Sequence, residues 1–161
     1  MQAITETLIE DVWKGVDQLS EDDAEGLVGL LGEEQPFLLV YLVATGEDEF
    51  NEDEKEFLLY MGVVIWKVFQ QLKSPLPSIS EQNLESIEST NIKMLEYLET
   101  ESESYFHEFV QNLIYDYPQP ALLKFVTELI FDEEEAIRSR NKGMMLVYLK
   151  IIIDCLDKVV K

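Results

Sequence analysis

QPFLLVYLVAT, residues 35–45, decides the fold class, because an apolar run of this length reads equally as a buried strand, a buried helix or part of a membrane anchor. A later stretch with the same opening, QPALLKFVTEL at 119–129, resolves the ambiguity. Continued by two residues, its apolar positions Ala121, Leu122, Phe125, Val126, Leu129 and Ile130 recur at helical spacing, with Lys124, Thr127 and Glu128 left outside. Both stretches are therefore expected to be helices. Pro36 and Pro120 fall in the first turn, where the amide proton that proline lacks would have had no intrahelical partner.

Outward from the first stretch, Ile4, Leu8, Val12, Val16 and Leu19 repeat at helical spacing, widened by Ile9 and Trp13. The segment SEDDAEGLVGLLG offers Ser20 as a helix cap, is weakened by Gly26 and Gly29, and is expected to end at Gly32. Beyond Gly46 and an acidic loop, Asn51 and Glu54 form a capping box for a long helix to about Lys73. The prolines of SPLPS, 74–78, then deny the chain a continuous helix. Ser78 with Glu81 is expected to cap a helix through about Glu99, and Thr100 with Glu103 another through about Tyr115. Asp132 with Glu135 is expected to cap a final long helix that runs nearly to the end. Gly62 and Gly143 fall at matching places in the two long helices, where a neighbouring backbone would pass closely.

The order of elements thus repeats. The expected architecture is all-α, a compact helical bundle of about eight helices built from two pseudo-repeated four-helix units. It forms a single domain over 1–161, with one repeat at about 1–73, a linker at 74–79 and the second repeat at about 80–161.

Composition bounds the function. Acidic residues number 33 against 12 Lys and Arg, a formal charge of −21 that repels nucleic-acid backbones and anionic membranes and favours basic protein surfaces. The longest purely apolar runs are about half the ~20 residues that span a bilayer. The lone Cys155, in the apolar run IIIDCL, has no intrachain partner for a disulfide, and the first residues carry acids at Glu6, Glu10 and Asp11 rather than a basic leader. A cytoplasmic protein is expected.

Catalytic and metal motifs are sparse. The lone histidine, His107, has Ser104 three residues before it, which is wrong for the Glu-x-x-His of a dinuclear carboxylate site; Glu103, one turn away, is the one candidate partner for metal or acid/base chemistry. The acidic loop GEDEFNEDEKEF has Phe50 at the third position of a calcium loop starting at Asp48, and Asp53 where a glycine must turn. Neither a phosphate-binding glycine loop, a zinc cysteine pair nor a serine elbow is present. No cofactor is expected. The arginines sit in RSRNK, 138–142, with Glu134 one turn before Arg138 as its expected ion-pair partner.

The two QP stretches differ in one respect. Aligned, Val40, Val43 and Ala44 stand against Lys124, Thr127 and Glu128; on the following helices, Phe57, Tyr60 and Met61 stand against Arg138, Asn141 and Lys142. The earlier copy is apolar where the later one is wet. These six apolar residues are either covered within the monomer, by the helix carrying Trp13, or form a docking patch. The expected function is a non-catalytic acidic interaction or adaptor module that binds another protein, or a second copy of itself, through this face. The alternatives are an acidic inhibitor that mimics nucleic-acid charge, and an enzyme or metal-binding protein using Glu103 and His107.

Overall fold

The computed structural model describes residues 3–99, 103–132 and 136–161, without side chains at 97–106. Among the described residues are eight α-helices and no strand: α1 (Glu6–Asp17), α2 (Glu21–Glu34), α3 (Pro36–Ala44), α4 (Glu52–Gln70), α5 (Glu81–Glu99), α6 (Glu103–Asp116), α7 (Pro120–Asp132) and α8 (Lys142–Val160). A 3-10 turn at Ser139–Asn141 leads into α8. Both QP stretches are helices that begin at their prolines. No helix among the described residues is long and apolar enough to cross a membrane.

Two helices of 19 residues, α4 and α8, pack against each other at the centre. At 1.5 Å per residue each is about 28 Å long. Their apolar residues lie nearly all round, the pattern of a helix enclosed by neighbours. Around α4 pack α1, α2 and α3; around α8 pack α5 and α7. Trp66, Phe69, Leu146 and Ile152 are fully buried between these layers, and each such side chain contributes roughly 1.5–3 kcal/mol. Gly62 of α4 makes room for α3: a Cβ there would stand 2.6 Å from Leu42 Cδ1. The close neighbour is thus a side chain rather than a backbone.

Local signals place most helix starts. Ser20 caps α2, accepting from the Asp23 amide at 3.1 Å. Asn51 and Glu54 exchange both bonds of a capping box at 2.9 Å. Three expectations need correction. Gly32 lies inside α2, whose last turn closes with the Gln35 N–H on the Leu31 carbonyl before Pro36 bends the chain away. Ser80, not Ser78, caps α5, accepting from the Asn83 amide at 3.1 Å. Asp132 is the last residue of α7, and α8 begins only at Lys142. Thr100 and Glu135 lie outside the described residues.

The glutamines of the two QP stretches explain the second correction. Gln35 is buried; its Nε2 donates to the Pro77 carbonyl at 2.7 Å and its Oε1 accepts from the Ile79 amide at 2.8 Å. Gln119 is buried too; its Oε1 accepts from the Ile4 amide at 3.2 Å and its Nε2 donates to Asp157 at 3.1 Å. The glutamine before α3 therefore holds the segment entering α5, and the glutamine before α7 holds the segment entering α1. With Ile79 bound in this way, α5 starts after it, and the proline-rich stretch is packed, Leu76 and Ile79 both being buried.

Replacing Gln35 with alanine leaves the Ile79 amide and the Pro77 carbonyl without their partner. Urea denaturation is expected to show a loss of about 1–3 kcal/mol. The same change at exposed Gln82 should stay within about 0.5 kcal/mol.

Candidate functional site

Helix α3 contains no charged residue. Leu38 and Leu42 are buried, whereas Phe37, Val40 and Val43 are 41%, 65% and 62% exposed, and Ala44 is exposed beside them. Spacings of three and four place these residues along one side of the helix. Exposed carboxylates stand at both ends, Glu33 before the helix and Glu47, Asp48 and Glu49 after it. On α7 the aligned positions are polar: Lys124 and Glu128 are exposed, and the Thr127 hydroxyl donates to the Leu123 carbonyl at 2.8 Å.

The remaining members of the six-residue set lie elsewhere. Met61 is 0% exposed and belongs to the core, so it cannot touch a partner. Phe57 and Tyr60 are half-buried, with α1 packed on α4 and the Tyr60 hydroxyl donating to Asp17 at 3.3 Å. Trp13 of α1 meets Phe125 of α7 instead, ring centres 5.4 Å apart and edge to face. The α4 portion is thus largely covered within the monomer, while Val40, Val43 and Ala44 face solvent with Phe37. The aligned residues Asn141 and Lys142 are not wet, as their polarity suggested, but buried.

Lys142 donates to the Phe131 carbonyl at 3.3 Å, and Asn141 serves a buried carboxylate. Glu54 is enclosed at the start of α4, and its oxygens accept from Arg138 Nη2 at 2.7 Å, the Arg138 backbone amide at 3.0 Å and Asn141 Nδ2 at 3.1 Å, besides the Asn51 amide. Arg138 Nη2 and Asn141 Nδ2 also reach the Glu49 carbonyl, at 2.8 and 3.0 Å. Burial by itself would raise the Glu54 pKa, but the bonds from Arg138, Asn51 and Asn141 outweigh it and hold the carboxyl at about 2. The Arg138 partner is therefore Glu54 across the fold; Glu134 lies outside the described residues.

A second polar cluster joins α5, α8 and the turn after α6. Asp154 accepts from the Tyr117 hydroxyl, from Asn91 Nδ2 at 3.1 Å and from Lys150 Nζ at 2.9 Å, and Lys150 Nζ also donates to Asn91 Oδ1 at 2.8 Å. Burial, then the neighbouring Asp154 charge, push the Tyr117 pKa upward, which keeps its hydroxyl a donor. Neither cluster was foreseen. The one part legible in the sequence is the Asn51–Glu54 capping box.

His107 lies on α6 with its ring 4.8 Å from that of Phe131. The Glu103 side chain lies outside the described residues. Cys155 is buried, and burial followed by the Asp154 charge pushes its thiol up to about 12, far from a reactive thiolate. Among the described residues no group of three or more His, Cys, Asp and Glu side chains is placed to hold a metal ion. Comparison with known proteins finds no matching family model, no similar curated protein and no similar solved structure.

The Glu54 cluster makes stability depend on pH in a definite direction. A carboxyl whose folded value of about 2 lies below its ordinary 4.5 stabilises the fold at neutral pH, and that contribution drains away as pH falls from about 5 toward 2. Glu54→Gln is expected to cost about 3 kcal/mol at pH 7, the low end for a broken buried pair because Arg138 keeps contact with water. Urea titrations of both proteins should show the gap shrinking by pH 3. A gap that stays constant would remove the charge from the explanation.

Proposed function

We propose that the chain is a non-catalytic adaptor, an acidic helical module that binds another protein through the outer face of α3. One observation carries this reading: Phe37, Val40 and Val43 are exposed together on a helix with no charge, in a chain of formal charge −21. Covering a large apolar side chain contributes roughly 1.5–3 kcal/mol, so a few such residues at the centre of an interface suffice to hold a partner. The carboxylates at the two ends of α3 favour a partner with an apolar anchor and a basic rim. A second copy would bring its own −21 to the contact. A cytoplasmic setting agrees with the free, buried Cys155.

The reading extends to the architecture, as two pseudo-repeated four-helix units, α1–α4 and α5–α8. In support, most neighbours correspond under exchange of the units, α2 on α4 excepted: α1 packs on α4 as α5 does on α8, α3 on α4 as α7 on α8, α2 on α3 as α6 on α7, and α1 on α7 as α5 on α3. The reciprocal bonds of Gln35 and Gln119 agree with this exchange.

The test is capture of partners on the immobilised protein, with Val40→Asp beside it. Because Val40 is exposed, the substitution should change stability by no more than about 0.5 kcal/mol. A basic partner held at low salt, released as salt rises and lost with Val40→Asp is the expected result. Undiminished capture by the variant would take α3 out of the interface.

A further inference from the structure

The first two helices of the chain are incompletely covered. Ile9 is the only fully buried residue of α1, and Leu31 the only one of α2. The apolar stripe of α1 runs through Leu8, Val12 and Val16, all half-buried, to exposed Leu19; on α2, Leu27 is half-buried and Leu30 is 55% exposed. These two stripes line a groove of about 740 Å³ between the helices, also lined by Lys67 of α4 and by Gln71 just after that helix. Around it stand the exposed carboxylates of Asp11, Asp22 and Asp23, against the single ammonium of Lys67. Each wall also carries a glycine, Gly15 on α1 and Gly26 on α2, and no atom beyond the glycine's chain neighbours and adjoining helix backbone lies within 4 Å of where a Cβ would stand on either.

We propose that this groove is a seat for a basic amphipathic helix of another protein. Two incomplete apolar stripes facing one another are completed by a third, which lays apolar residues at i, i+3, i+4 and i+7 between them. The glycines let its backbone come close, and Lys or Arg on its flanks meet Asp11 on one side and Asp22 and Asp23 on the other. The length fits: α1 has 12 residues, about 18 Å, so the occupant makes some three turns along it. Charge decides among occupants. A second copy of this chain, an anionic lipid surface and a nucleic acid all carry the same sign as the rim. The groove is separate from the exposed face of α3 and stands without it; if both hold, the module joins two partners.

The probe is a synthetic peptide of about fourteen residues, with leucines at that helical spacing and lysines on the flanks, beside a scrambled peptide of the same composition. Binding is followed by fluorescence anisotropy and by amide chemical shifts of the full-length protein. Shift changes confined to α1, α2 and the end of α4 are expected, with affinity at least about tenfold above that of the scrambled peptide and falling with salt. Gly15→Leu with Gly26→Leu fills the groove where nothing obstructs the new side chains, so circular dichroism should report an intact fold while peptide affinity drops by about tenfold or more. Val40→Asp should leave peptide binding unchanged, which separates failure of this proposal from failure of the α3 reading. Equal binding of the scrambled peptide, shifts spread over the whole acidic surface, or full affinity in the filled variant would each overturn the groove. Dimerisation through the same residues without peptide would assign it to a second copy and overturn it equally.

Discussion

Two buried glutamine amides fix how the chain closes on itself. A proline at the first helical position disfavours helical backbone in the residue before it, and Gln35 accordingly sits at φ −132° and ψ 68°, outside the helix it precedes. Once a primary amide is buried, its donors and acceptor must be satisfied or the fold loses several kcal/mol. Gln35 finds main-chain partners 42 and 44 residues away, and Gln119 finds one 115 residues away. Because the partners are backbone groups, the bonds determine where α5 and α1 begin. Those helices then pack on α3 and α7 respectively, so each glutamine holds in place a helix that lies against the one it introduces.

Glu54 imposes the other constraint. A buried ion pair contributes little net stability once desolvation is counted, but removing one partner is costly, because it leaves an uncompensated charge in the interior. Here the carboxylate collects donors from residues 84 and 87 positions later, and the chain at 138–141 takes a 3-10 turn that brings Arg138 and Asn141 to it. Helix α8 can start only after that turn. The approach to one central helix is thereby bound to the start of the other, which sets their register at the shared end. Lys142, the first residue of α8, is held as well, its ammonium reaching the Phe131 carbonyl at 3.3 Å.

What the sequence reveals follows the range of the interactions involved. Helix content, the two proline starts, the Ser20 cap and the Asn51 capping box depend on residues within one or two turns, and periodicity and capping chemistry capture these directly. Ser78 and Asp132 carry the same local signal as true caps and lose to long-range bonds: the Ile79 amide is taken by Gln35, and the donors needed by Glu54 delay α8. The glutamines stood in plain view in both QP stretches, yet their role depends on backbone more than forty residues away. The six-residue patch divides on the same principle. The exposure of Val40, Val43 and Ala44 was legible because their aligned counterparts are polar at a matching spacing from a proline. Met61 was placed by aligning Asn51 with Asp132, and that register fails because α8 starts at Lys142.

Charge gives the two proposed surfaces different selectivity. The overall field of −21 draws basic proteins toward any part of the molecule and raises the rate of encounter, but within a Debye length of roughly 8 Å the local groups decide what remains bound. Along α3 there is no charge, and the carboxylates lie only at its ends. Discrimination there rests on the shape of the apolar surface that covers Phe37, Val40 and Val43, and therefore chiefly on dissociation. In the α1–α2 groove the carboxylates of Asp11 on one wall and of Asp22 and Asp23 on the other stand beside the apolar stripes, so the proposed occupant presents greasy and basic residues in a helical pattern at once. The two proposed surfaces thus differ in where charge meets apolar area: only at the ends of α3, but beside the apolar stripes in the groove.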